Sequence, residues 1–300
     1  MPFFNTCIIN QLSRVTGKIC TSIVHTMCSC IINKVVAITG LKMEIRIVLL
    51  VSLWMPLLTF AESSCHFSVW KDYHHTKLLL NESTSAYLFV TNHMAVDADG
   101  APNAYHPEDK GLDFLANAGY PDKQWWRDVL VVDPNDPSRA YIQSSGEFAG
   151  YFVSKTALQD PSKSITDSAR YVDARHIPYL VFPGSFYKMK GTGRLGDLGF
   201  AINLTSGEKS PFVVADIGPA SAPLGEVSIA LAEGLGGHDV NPKNSAGAPL
   251  GTTLYVVFPN SSRQYPWPQS IDAIAQHANS LLDTIGGEDS VLMCKDLAMK

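Results

Sequence analysis

Residues 213–236 read VVADIGPASAPLGEVSIALAEGLG. Residues 213–215 continue a short apolar run with the character of a buried strand, so Asp216 falls where that strand gives way to the Gly218-Pro219 turn. Glu226 follows the Pro223-Leu224-Gly225 break and opens a segment with helical spacing at Val227, Ala230, Leu231 and Gly234. A loop joining a strand end to a helix start can hold two acids across one groove. Such a pair suits glycoside hydrolysis, in which one carboxyl protonates the departing oxygen while the other activates water on the opposite face of the sugar. The same residues also fit a plainer arrangement, a turn-capping Asp and a negative charge at a helix N-terminus.

Outward from this stretch, most signals are strands separated by irregular loops. Apolar or alternating runs at 86–91, 129–132, 151–154, 179–182, 198–204, 212–215 and 254–258 predict strands. Two helices are expected. One follows Glu226. The other starts at Ser270 as N-cap, carries Ile271, Ile274, Ala275, Ala278, Leu281, Leu282 and Ile285 on one face, and stops at Gly286-Gly287. Residues 62–300 contain no linker, repeat or low-complexity tract, which predicts a single domain. A body of that size buries about 70–75% of its unfolded surface and folds without a metal.

The first 61 residues are expected to be a leader. Arg46 precedes a largely apolar run over 47–60, and small Ala61 follows it, which is the layout of a signal peptide over 43–61. That run is shorter than the roughly 20 residues a comfortable membrane span requires. Secretion, to the extracellular space or a periplasm, is the expectation, with no stable membrane association after cleavage. Four cysteines (Cys7, Cys20, Cys28, Cys30) lie in the leader, leaving Cys65 and Cys294 near the two ends of the domain, where they are expected to pair.

With 46% hydrophobic and 17% charged residues, the chain has the composition of a globular protein. Beyond residue 61 it carries 18 Lys/Arg against 27 Asp/Glu, a net charge of −9. That balance argues against nucleic acid as a partner, which calls for a basic face. It is compatible with a cationic ligand, because an acidic cleft concentrates positive charge. The chain lacks a GxSxG elbow, an HExxH pair and a P-loop, so serine hydrolase, zinc protease and nucleotide hydrolase readings have no support.

The order of several segments resembles the glycoside hydrolase family 75 chitosanases: AVDADGAPNAYHPEDKGLDFLANAG (95–119), GYFVSKTAL (150–158), RYVDARHIPYLVFPG (170–184), Gly196-Asp197, the run to Leu204 with Asn203, VVADIGP, GEVSIALAEGLG and YVVFPNS (255–261). The resemblance covers most of the chain beyond about residue 87. It departs from the best-known fungal members around Trp125-Trp126 and near Pro266. It implies inverting endohydrolysis of chitosan, with Asp216 and Glu226 at the positions of that family's essential pair. The same core string also resembles double-psi β-barrel proteins, a scaffold shared with lytic transglycosylase-like proteins, expansins and family 45 endoglucanases. It implies a mainly β fold with a six-stranded double-psi-like β-barrel core, peripheral helices and long loops.

Further polar groups are candidates for substrate contact. Asp97-Ala98-Asp99-Gly100 resembles the start of a calcium loop but lacks the remaining ligands, so no metal or other cofactor is expected. The same Asp side chains can cap turn amides or meet sugar amines, and the position of the segment in the family resemblance favours the latter. Asp113 and Asp197 are candidates of the same kind. Tyr105, Tyr187 and Trp125-Trp126 can stack on sugar rings, although aromatic side chains more often serve a core.

The expectation is therefore a secreted, monomeric endo-chitosanase. Glu226 is its general acid, since Glu has the higher intrinsic pKa and apolar neighbours, and Asp216 its base. The alternatives are a peptidoglycan-cleaving enzyme on the same barrel and a non-catalytic, expansin-like polysaccharide-binding module.

Overall fold

The computed structural model describes residues 65–300, so the leader and the signal peptide expected over 1–61 lie outside the described residues. Residues Glu62–Lys300 cluster as one unit. The fold is mainly β. In chain order the strands are β1 (Ser68–Tyr73), β2 (Thr76–Leu80), β3 (Tyr87–Thr91), β4 (Ala95–Asp97), β5 (Val132–Asp133), β6 (Asp136–Ala140), β7 (Tyr179–Pro183), β8 (Leu198–Asn203), β9 (Lys209–Gly218), β10 (Glu226–Ser228) and β11 (Thr253–Phe258). The α-helices are α1 (Trp126–Val129), α2 (Gly184–Tyr187), α3 (Ile229–Gly234), α4 (Ile271–Thr284), α5 (Gly287–Leu292) and α6 (Lys295–Met299).

Nine strands form one mixed sheet in the order β1-β2-β3-β11-β8-β9-β7-β10-β4, and β5-β6 form a separate hairpin. The pairs β7/β9 and β10/β4 are parallel and the other pairs in the large sheet are antiparallel. β1 and β4 end the pairing order.

Continuous apolar runs in β3 and β11 follow from burial on both faces of the sheet. Tyr87, Phe89, Tyr255 and Val257 enter the larger core, where Phe89 stacks on Tyr255 at 5.0 Å. The alternate residues Leu88, Val90, Leu254, Val256 and Phe258 enter a second core, which also holds Leu282, Ile285, Val291 and Ala298 of the C-terminal helices and their connections. Each fully buried Leu, Val or Phe stabilises the fold by about 1.5–3 kcal/mol relative to exposure. Cys65 and Cys294 are disulfide-bonded beside this second core. Among the described residues no helix is long and apolar enough to cross a membrane.

Strands expected at 86–91, 179–182, 198–204 and 254–258 form as β3, β7, β8 and β11. Residues 129–132 instead split between the end of α1, a single bridge at Leu130 and the start of β5. Residues 151–154 make only isolated bridges, Phe152 with Ile142 and Ser154 with Leu130. In α4 the Ser270 hydroxyl caps the helix by accepting the Ala273 amide at 3.2 Å. Ile274, Ala278 and Leu282 are buried, but Ile271, expected on the same face, is exposed because it sits in the first turn, beyond the edge of the core.

Two further corrections concern the deciding stretch. β9 runs to Gly218, so Asp216 lies within the strand and not at its end. Glu226 opens β10, not a helix; α3 begins three residues later, where the Ser228 hydroxyl caps it by accepting the Leu231 amide at 3.1 Å.

Candidate active site

Four neighbouring strands, β9, β7, β10 and β4, carry three carboxylates onto one face. Directly paired residues share a face of a sheet, and residues two apart along a strand share it again. Glu226 pairs with Ala95, and Ser228 with Asp97, which places Glu226 and Asp97 on the same side. Val227 pairs with Leu180, so Val181 lies on the side of Glu226. Leu180 pairs with Val214, but Val181 pairs with Asp216. The extra residue, Ala215, is a β-bulge. Without it Val181 would face Ala215, and Asp216 would point to the opposite side of the sheet.

Asp216 and Glu226 line one open cleft of about 810 Å3 together with Asp97, Asp99, Tyr105, Asp113, Asn117, Trp125, Asp128, Val181 and Gly218. Gly218 matters by what it lacks. A Cβ there would stand 2.9 Å from Glu226 Oε2, so the glycine lets the carboxylate settle against the β9 backbone.

The acids differ in what holds them. Asp216 Oδ1 accepts the backbone amides of Ala157 at 2.9 Å and Ile217 at 2.8 Å. Asp97 Oδ1 accepts the Asp99 amide at 2.8 Å, and the Tyr179 hydroxyl lies 3.0 Å from Asp97 Oδ2 and 2.9 Å from the Asp99 carbonyl. The Ser154 hydroxyl donates to Asp99 Oδ1 at 3.1 Å. Oxygens of Asp97, Asp99 and Asp216 come within 4.8 Å of one another. They are the residues with the geometry to bracket a cation, but three ligands fall short of the six to eight oxygens that calcium takes, and each already accepts a protein hydrogen bond.

Crowding buried acids raises their affinity for protons. Burial, then the Asp97 charge, pushes Asp216 up to about 8, against the pull of the Ala157 and Ile217 amides and of Lys155. Burial, then Asp97, Asp216 and Asp113, pushes Glu226 up to about 8. Burial also lifts Asp97 to about 6 and Asp99 well above the usual carboxylate range. The protons belong to the cluster as a whole. Within it the two amides and the Lys155 ammonium favour the anion at Asp216, whereas every influence on Glu226 favours its protonated form. Loss of one proton from the pair therefore favours the anion at Asp216 and the remaining proton at Glu226.

Of the other residues singled out in the sequence, Asp97, Asp99, Tyr105 and Asp113 line this cleft. Asp113 Oδ1 is engaged by the Phe114 amide at 2.7 Å and by Asn117 Nδ2 at 2.9 Å. Asp197 is not there. It is fully buried, and its two oxygens accept the amides of Arg194, Asn260 and Ser262 and the Ser262 hydroxyl, fixing the loop after β11 to the turn before β8. A carboxylate satisfying four donors in a closed site has no route to a sugar amine. Tyr187 is half-buried against the main core in α2, outside the cleft.

Sequence reasoning missed Ser154, Ala157 and Tyr179, which come from distant segments and hold the acids, Lys155, whose charge acts on Asp216, and Asp128, which lines the cleft.

Compared with known proteins, no protein-family model matches the chain, and no curated protein matches it.

Proposed function

We propose that the chain is a secreted endo-chitosanase of the family 75 type, acting as a monomer on chitosan through a single catalytic domain over 62–300, with a double-psi-like barrel as the core of its sheet. The observation that carries this reading is the pairing of Asp216 and Glu226 on one face of the sheet, in a single acidic cleft. The net negative charge of the domain favours a polycation over a neutral or anionic glycan.

In this mechanism Glu226 gives its proton to the glycosidic oxygen as the C1–O bond breaks. Asp216 takes a proton from a water whose oxygen bonds to C1 from the opposite face, and the product carries the inverted anomeric centre. The two amides and Lys155 make Asp216 the member of the pair that gives up a proton first, and burial beside other carboxylates holds the proton on Glu226, so the acid–base pair is complete once the two have lost one proton.

Release of reducing ends from chitosan, measured beside chitin and peptidoglycan, tests the proposal. Turnover on chitosan supports it. Turnover confined to peptidoglycan makes the chain a peptidoglycan-cleaving enzyme, and binding to polysaccharide without turnover makes it an expansin-like module.

A further inference from the structure

Trp125 and Trp126 are neighbours with opposite fates. Trp126 is 2% exposed, and its ring meets Tyr120 edge-on at 5.3 Å, so it anchors α1 in the main core. Trp125 is 46% exposed and lines the same cleft as Asp216 and Glu226. Leaving much of an indole in water forgoes the burial that such a large side chain normally gains.

The exposed ring is nonetheless held. Gly119 has a left-handed φ of 71°, and a Cβ there would stand 2.9 Å from three carbons of the Trp125 ring. The indole therefore lodges against bare backbone, with its remaining surface open to the cleft. Acids line the same cleft. The Asp128 amide donates to the Trp125 carbonyl at 2.8 Å, its exposed side chain lines the cleft, and Asp113 lines it too. The Lys155 ammonium, bonded to the Arg127 carbonyl, offsets part of this negative charge.

An immobilised aromatic plane beside carboxylates matches a pyranose ring that bears an ammonium group: the C–H face of the sugar lies on the indole and the cation meets the acid. We propose that Trp125, with Asp128, forms a subsite of the cleft that binds a glucosamine unit of the substrate. This inference rests on the chitosanase reading and adds to it the residues that select an amino sugar.

The test uses the purified protein carrying Asp216→Asn, titrated with a hexamer of glucosamine and with its N-acetylated counterpart. Adding Trp125→Ala weakens binding of the glucosamine hexamer by about tenfold, and Trp125→Phe, which keeps a ring, by less. Asp128→Asn reduces the preference for the glucosamine hexamer over the acetylated one. With Asp216 restored, Trp125→Ala raises KM on chitosan more than it lowers kcat. Hexamer binding unchanged by both Trp125→Ala and Asp128→Asn overturns the subsite while leaving the chitosanase reading intact. Absence of any hexamer binding, together with absence of turnover on chitosan, overturns both.

Discussion

Val181 pairs with Asp216, one residue later than the regular β7–β9 ladder would place the contact. That slip is what brings the strand acid to the side of the sheet where Glu226 and Asp97 already stand. A bulge beside a site is a means of re-aiming one side chain without moving a whole strand. Here it converts two carboxylates ten positions apart in sequence into a pair facing one cleft.

Conservative removal of either member of the pair tests its role directly. Asp216→Asn and Glu226→Gln keep shape and lose acid-base function, so each is expected to lower kcat on chitosan by about 10²–10⁴ while binding of the polymer persists. Steady-state kinetics beside a binding isotherm gives both readouts, and either variant retaining more than about a tenth of the parent rate removes that residue from the mechanism.

The acid cluster also sets how stability depends on pH. Asp97 at about 6 and Asp216 and Glu226 at about 8 bind protons in the folded chain that ordinary carboxylates in the unfolded chain release near 4. The folded state therefore holds more protons across that window. Stability from these groups is fully present below about 4 and falls as pH rises to about 8. Thermal melts from pH 4 to 9 should show Tm declining toward alkaline pH. Asp216→Asn should flatten that decline and stabilise the protein at pH 8 on the order of 1–3 kcal/mol, since it removes a crowded charge. A Tm that rises from pH 5 to 8 would contradict this account of the cluster.

Much of this arrangement is visible in the sequence, for identifiable reasons. β3, β7, β8 and β11 are buried on both faces and so appear as unbroken apolar runs. The β1–β2 hairpin is hidden because its two-residue turn is His74-His75, both at positive φ, in place of the Asn or Gly that usually announces such a turn. The two acids are conspicuous at a Gly/Pro-rich loop, but the bulge that orients Asp216 has no local marker. The groups holding Asp97 and Asp99, the Tyr179 hydroxyl and Ser154, lie more than fifty residues away in sequence. Asp197 misleads for the converse reason: a Gly-Asp pair before a strand carries the same local signal whether the acid faces a ligand or ties two loops together.

Gly218 offers a test of positioning that leaves every acid in place. Its backbone is in the ordinary strand region, so alanine is allowed there, but the new methyl would meet Glu226 Oε2 at 2.9 Å and Val181 Cγ1 at 3.2 Å. Gly218→Ala is therefore expected to displace the carboxylate by a few tenths of an ångström and to cut kcat about tenfold or more with little change in KM. Its alkaline limb in the pH-rate profile should shift as the surroundings of Glu226 change. The crowding against Glu226 and Val181 opposes the entropy gained by replacing glycine, so stability should change by less than about 1 kcal/mol. An unchanged pH-rate profile and kcat would show that the close approach of Gly218 to Glu226 is incidental.

The Cys65–Cys294 bond closes a loop with a sequence separation of 229 residues and ties the start of the described chain to the helices over the second core. Closing so long a loop restricts the unfolded chain, and loss of such a bond typically costs about 2–4 kcal/mol, or roughly 4–16 °C in Tm for a domain of this size. Cys65→Ala with Cys294→Ala should lower Tm within that range and, because neither cysteine lines the cleft, should leave KM unaltered at temperatures below the transition. A protein spanning 62–300 that shows two titratable thiols when unfolded without reductant would contradict the pairing.

Stereochemistry distinguishes the proposed mechanism from its nearest alternative. Inversion needs a water between base and sugar, which sets the two carboxyl groups about 6.5–9.5 Å apart, whereas a retaining pair stands about 5–5.5 Å apart and forms a covalent glycosyl intermediate. Asp216 and Glu226 rise from strands separated by β7, which sits between β9 and β10 in the sheet. Adjacent strands lie about 4.8 Å apart, so two steps across the sheet carry the backbones roughly 9.6 Å apart before the side chains reach into the cleft. Glu226, however, reaches back to the β9 backbone beside Gly218, so the strand spacing does not fix the carboxyl separation, and inversion is the outcome the chitosanase proposal requires. NMR of products formed from β-linked glucosamine oligomers should therefore show the α-anomer first, with the β-anomer appearing only as mutarotation proceeds. Initial β-anomer, or a trapped glycosyl ester on Asp216, would replace the water-mediated mechanism with a retaining one on the same two residues.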